Sequence, residues 1–221
     1  SYQGFAFDGF EDYNYPTNTS LPLSSPTTNY GHFELGSATL TNTAAHTGDV
    51  SVVITSGNYV EFAHTYANQD PGKFIPDPNT YYYFSAWVKV DDPAASAELI
   101  IDGNSIDITS VDEQKIEGWQ RIEGKFLPPA LSTSIKVKAN SGTIYLDDIR
   151  LQPQVSAMKS YVYYPNTLWL RAELDDRNYA TFYNYDEEGN LIQIKKETKD
   201  GLRTIVSNRK NVKKNPTPAT P

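Results

Sequence analysis

The run Tyr81-Tyr82-Tyr83-Phe84-Ser85-Ala86-Trp87-Val88-Lys89-Val90 decides the fold class. Successive side chains of a β-strand point to opposite faces of its sheet. Read at that period, Tyr82, Phe84, Ala86, Val88 and Val90 form one wholly apolar face, which belongs against a core. Tyr81, Tyr83, Ser85, Trp87 and Lys89 form the other face, polar but aromatic. Such a face suits a sheet surface that holds something flat, and equally a surface half covered by another element.

Outward from this run the same period recurs. Ser51–Thr55, Tyr59–Phe62, Ser96–Ile101, Ile106–Ile108, Arg121–Phe126, Ser134–Lys138 and Thr143–Leu151 alternate apolar with polar residues, or nearly so. No comparably long stretch carries the i, i+3, i+4, i+7 pattern of an amphipathic helix. Turn residues separate the runs, among them His46-Thr47-Gly48-Asp49, Ser56-Gly57-Asn58, Asp102-Gly103-Asn104 and Ala139-Asn140-Ser141-Gly142. Short strands at this spacing predict an all-β chain folded as an antiparallel sandwich.

Composition narrows the function. The 221 residues contain no Cys, which excludes a disulfide scaffold, a thiol enzyme and a cysteine-ligated zinc site. No run of 18 apolar residues occurs, so membrane insertion is not expected. Residues 1–153 hold 19 acids and 8 bases, net −11, while residues 154–221 hold 8 acids and 11 bases, net +3. This change of sign predicts two units. The acidic first unit makes nucleic acid an unsuitable partner, because phosphate binding needs a concentrated basic face. Lys210, Lys213 and Lys214 read as a solvated end rather than a basic arm.

The texture changes after Pro153. Tyr161-Val162-Tyr163-Tyr164-Pro165-Asn166-Thr167 leads into a strand with Leu168, Leu170, Ala172 and Leu174 on its inner face and Trp169, Arg171 and Glu173 on its outer face. Tyr179–Tyr185, the turn Asp186-Glu187-Glu188-Gly189, a strand with Ile192 and Ile194, and Leu202–Val206 follow. Tyr161-x-Tyr163 and Tyr183-x-Tyr185 stand 22 residues apart, which predicts two β-hairpin units. The expected domains are a sandwich over 1–153, an antiparallel hairpin sheet over 154–210 and a Lys/Pro-rich tail over 211–221.

Five ordered segments carry a resemblance. Gly9-Phe10-Glu11, Ala45-His46-Thr47-Gly48-Asp49-Val50-Ser51-Val52, Thr80–Lys89, Gly118-Trp119-Gln120-Arg121-Ile122 and Ile144–Leu151 resemble the galactose-binding-like jelly-roll sandwich of family 4 and 9 carbohydrate-binding modules. The resemblance implies a sugar groove of aromatic rings and polar side chains, here Tyr59, Glu61, Phe62, Tyr83 and Trp87, and places Trp119 in the core. The Trp that the family carries in the segment around Tyr59–Phe62 is missing here. It also implies a structural calcium ion, with Glu11, Thr47, Asp49 and Asp147 supplying oxygens.

In the second unit, Thr181-Phe182-Tyr183-Asn184-Tyr185-Asp186-Glu187-Glu188-Gly189-Asn190-Leu191 resembles the YD repeats of Rhs-type proteins, and the copy at Tyr161–Tyr164 is degenerate. In physical terms, Tyr at alternate positions builds a ladder on one face, and Asp then Gly closes a hairpin.

No catalytic arrangement is expected. Asp91-Asp92, Asp147-Asp148, Asp175-Asp176 and Glu187-Glu188 are adjacent acids, whereas glycoside hydrolysis needs carboxyls opposed across a cleft. His32, His46 and His64 show no metal-ligand spacing. Together these features predict a non-catalytic structural or adhesive module of a large secreted or cell-surface bacterial protein. Its partners would be other domains or chains, with carbohydrate as the class of any small ligand. The alternative is a dedicated carbohydrate-binding module with an aromatic-lined groove.

Overall fold

The computed structural model describes residues 4–11, 33–65, 74–107, 115–130 and 132–208. Ten strands build a sandwich: β1 (Ala6–Asp8), β2 (Thr39–Thr41), β3 (Ser51–Thr55), β4 (Tyr59–Thr65), β5 (Tyr82–Lys89), β6 (Ser96–Ile101), β7 (Asn104–Asp107), β8 (Trp119–Phe126), β9 (Ser132–Ser141) and β10 (Thr143–Pro153). One sheet runs β2-β3-β10-β5-β8, with β1 also paired to β10; the other runs β4-β9-β6-β7. Every pairing is antiparallel.

The alternation of β5 sets the core. Tyr82, Phe84, Ala86 and Val88 are buried, and they share one cluster with Val60 and Phe62 of β4, Leu99 of β6, and Ile135 and Val137 of β9. Burial of such side chains contributes about 25 cal/mol per Å² of apolar surface removed from water. Phe62, expected among the ligand contacts, is therefore a core residue at 3% exposure. It alternates with outward-facing Tyr59 and Glu61, so the strand period that exposes those two turns Phe62 inward.

Strand β10 organises the larger sheet. From Tyr145 to Pro153 it pairs with β5, while its other edge pairs first with β3 and then with β1. A bulge between Asp147 and Arg150, with Asp148 at φ +48°, lets both Leu146 and Ile149 reach the core. From Leu146 to Pro153 every residue of β10 is buried, because both of its faces are covered.

The sheet of the second unit, the second sheet, covers the outer face of the larger sandwich sheet. Strands β11 (Ser160–Tyr163), β12 (Leu170–Leu174), β13 (Ala180–Tyr185), β14 (Leu191–Thr198) and β15 (Gly201–Ser207) form one sequential antiparallel meander. Its inner face, with Val162, Ala172, Leu174 and Ala180, packs on Phe7 of β1. Leu168, assigned by its spacing to that inner face, is instead 74% exposed at φ +58°. The turn between β11 and β12 closes at Trp169, so β12 begins two residues later than the apolar pattern suggests.

Trp119 is buried, but not in the sandwich core. It joins Trp87 and Ile116, against Tyr179 and Leu202, in a cluster between the sandwich and the second sheet. Trp119 precedes Arg121 by two residues, and Arg121 pairs with Trp87, so both indoles face outward from the sandwich. The tail over 211–221, residue His32 and the side chain of His64 lie outside the described residues.

Candidate functional site

The outer face of β5 is where the two sheets meet. Trp87 is 1% exposed, and its Nε1–H donates to the carbonyl of Asn178 at 2.6 Å. Asn178 sits at φ +66° in the turn between β12 and β13, and its amide nitrogen donates to the Asp148 carbonyl at 2.9 Å. The indole is thus capped by the second sheet and is closed to a ligand, contrary to the role the resemblance implies.

His46 lies on the far side of that indole. Its ring stacks on Trp87 with centroids 4.1 Å apart, while Nδ1 lies 2.7 Å from Asp148 and Nε2 lies 2.9 Å from Glu197 of β14. Burial alone would lower the imidazole pKa, but the two carboxylates outweigh it and push the value up to about 9. Both nitrogens therefore donate. Glu197 also accepts the backbone N–H of Ala180, which ties β14 to β13 and to the sandwich at once. Arg150 completes the joint by donating to the carbonyls of Met158 and Asp175 and to Ser160 Oγ. Burial lowers its pKa to about 10, well within the charged range at neutral pH.

The expected ligand residues are not brought together. Tyr59 and Glu61 face outward from the four-stranded sheet, where Lys136 Nζ sits 4.6 Å from the Tyr59 ring centre and 3.4 Å from Glu61. Tyr83 and Trp87 face outward from the opposite sheet. The thickness of the sandwich separates the two pairs.

An open cleft remains beside the capped indole. It measures about 440 Å³ and lies between the β5 surface and the β12–β13 turn, with Tyr83, Arg121, Glu123, Gln152, Asp176 and Tyr179 among its lining residues. Strand register explains the grouping: Gln152 pairs with Tyr83, and Glu123 with Ser85. Arg121 bridges Glu123 at 2.6 Å and lies 5.4 Å from the Tyr179 ring centre. The Nε of Arg121 and Oε1 of Gln152 are buried with no hydrogen-bond partner, although Gln152 is only 7% exposed. Of these residues only Tyr83 was legible in the sequence. The others needed the cross-strand register, which alternation within a single strand does not supply.

The calcium set is only partly assembled. Glu11 Oε1 accepts the backbone N–H groups of Asp49 and Val50, and burial raises its pKa to about 7. Asp147 accepts the N–H groups of His46, Thr47 and Asp148, and burial, then the Asp148 charge, holds its pKa well above the carboxylate range. Glu11 and Asp147 also feel each other's charge. These two carboxyls fit a cation, but Asp49 turns away to pair with Arg171 at 2.6 Å. No group of three or more acids or histidines able to hold a metal occurs among the described residues.

No known family's sequence profile matches the chain, nor does any curated protein. Among solved structures, the chain is similar to carbohydrate-binding modules. The family 22 xylan-binding domain of Paenibacillus barcinonensis Xyn10C shares 15% identity, with a TM-score of 0.36 over 59% of this chain and 86% of that one. The C-terminal family 22 module of Clostridium thermocellum Xyn10B shares 13%, with a TM-score of 0.40 over 60% and 92%. A family 16 module shares 19%, with a TM-score of 0.37 over 52% and 85%. At these values the likeness transfers neither a ligand nor a site residue to this chain.

Proposed function

We propose that the chain is a non-catalytic carbohydrate-binding module of an exported or surface protein, with its glycan seat in the cleft beside Tyr83. The observation that carries this reading is the cleft itself, which sets the rings of Tyr83 and Tyr179 beside the polar side chains of Arg121, Glu123, Gln152 and Asp176. Tyr83 and Tyr179 offer apolar ring surface, and Arg121, Glu123 and Asp176 offer both donors and acceptors, a mixture suited to a pyranose. Affinity electrophoresis of the intact chain against plant and bacterial polysaccharides tests the reading. Retardation on at least one is expected, and none on any would refute it.

A structural role in a larger assembly is the second reading. The His46–Glu197 and Trp87–Asn178 bonds favour it, since they spend the aromatic face on docking the second sheet. In the β13–β14 turn, Asp186 accepts the N–H groups of Glu188 and Asn190, and its carbonyl accepts that of Gly189, as in any tight hairpin closed by Asp and Gly. A structural calcium ion would draw on Glu11 and Asp147. A chelator-induced drop in melting temperature is its expected sign, and an unchanged melt its refutation.

A further inference from the structure

Another cavity, of about 310 Å³, lies where the β11–β12 turn meets the loop before β3 and is lined by Tyr164, Asn166, Thr167, Trp169, Tyr185 and Asp49. Ligand pockets run from roughly 300 to 1,000 Å³, so this one suits one or two small rings. We propose that it is a second ligand site, taking a single pyranose against Trp169 and Tyr185, independent of the cleft beside Tyr83.

Three observations support a built site. The Trp169 and Tyr185 rings stand 5.3 Å apart at 45°, with Tyr164 edge-on to Tyr185 at 6.4 Å, so the three form two walls and a corner. Trp169 is fixed from behind by Gly189: a Cβ added there would come within 2.7 Å of the indole. The loop that carries Trp169 is also strained. Leu168 holds φ +58°, a conformation a leucine seldom adopts, and its 74% exposed side chain provides no burial to offset it. Hydrogen bonds between Tyr164 and Trp169 and between Leu168 and Tyr164, at 2.9 and 2.8 Å, hold the loop in that shape. Strain retained at an exposed position beside a pocket points to function.

The charges choose the ligand class. An aromatic corner with a free carboxylate would suit a quaternary ammonium ion. Here Asp49 is already paired with Arg171, whose guanidinium lies 5.0 Å from the Tyr164 ring centre, so a protein cation occupies that role. What remains is neutral: apolar ring faces for the C–H groups of a sugar, and the Asp49–Arg171 pair, Asn166 and Thr167 for its hydroxyls.

Trp169 is also a convenient probe. Of the chain's three Trp residues, Trp87 and Trp119 are 1% and 5% exposed, which leaves Trp169 as the accessible one. The intact chain is titrated with methyl β-glycosides of glucose, galactose, mannose and xylose, and with choline chloride, while tryptophan emission is followed. A saturable change with at least one glycoside is expected, weakened about tenfold or more in Tyr185→Ala and unchanged in Tyr83→Ala. Trp169→Ala, followed by saturation-transfer NMR of the same glycoside, gives a second readout and should show the same loss. The proposal is overturned if no glycoside gives a saturable change up to about 100 mM. A response to choline alone, or one abolished by Tyr83→Ala but not by Tyr185→Ala, also overturns it. Because the cleft contains no Trp, failure here leaves the cleft reading to its own test.

Discussion

The imidazole of His46 lies flat on the indole of Trp87, with ring centroids 4.1 Å apart and planes 15° from parallel. The stack joins the loop before β3, strand β5 of the larger sheet and, through Glu197, the C-terminal sheet. Replacing Trp87 by Ala removes the stack and the bond to Asn178, and leaves a cavity between the sheets. The expected cost is about 3–5 kcal/mol, measured by urea denaturation of the intact chain. Trp87→Phe keeps part of the contact and should cost less.

The His46 clamp also predicts how stability depends on pH. The imidazole titrates at about 9 in the fold against an ordinary 6.5, so its contribution is complete below 6.5 and is lost as pH rises through 9. The difference amounts to roughly 3 kcal/mol. Glu11, raised from 4.5 to about 7, acts in the same sense at lower pH: its contribution is present below 4.5 and lost as pH rises through 7. Thermal melts between pH 6.5 and 9.5 should show a falling midpoint in the native chain. In His46→Gln the decline over that window should be much reduced.

Removing the second sheet should expose what it covers. A chain ending at residue 157 leaves Trp87, His46 and Arg150 on an open sheet face without their partners Asn178, Glu197 and Ser160, and uncovers Trp119 beside them. Buried charges that lose their partners are strongly destabilising, and a large apolar patch drives association. Red-shifted tryptophan emission, a lower denaturation midpoint and self-association in sedimentation are expected.

Gly189 offers a local test of the second sheet. It holds φ +84° in the β13–β14 turn, hard against Trp169. Gly189→Ala adds both backbone strain and a clash, so a loss of more than about 1 kcal/mol is expected in thermal denaturation. A change in Trp169 emission should accompany it.

These tests bear on residues that differ in how far the sequence revealed them. The alternation of Tyr82, Phe84, Ala86 and Val88 placed β5 correctly, because period two is a property of a single strand. It also placed Trp87 on the outer face, but it could not say what lies over that face. That depends on Asn178 and Glu197, 91 and 151 residues away from their partners Trp87 and His46. Strands β1 and β2 went unread because three residues are too few to display a period. Tyr83 was legible as a site residue, whereas Arg121, Glu123 and Gln152 join it only through the registers of β8 and β10. Leu168 misled the reading because a turn, set by a backbone bond from Tyr164 to Trp169, overrides the apolar spacing.

A glycan seat at the cleft is distinguished from one at the capped indole by a single measurement. Affinity electrophoresis is run on the native chain, Tyr83→Ala and Trp87→Phe, against whichever polysaccharide retards the native protein. Loss of retardation in Tyr83→Ala with retention in Trp87→Phe is the predicted result. Full retardation of Tyr83→Ala, together with its loss in a folded Trp87→Phe, would contradict it.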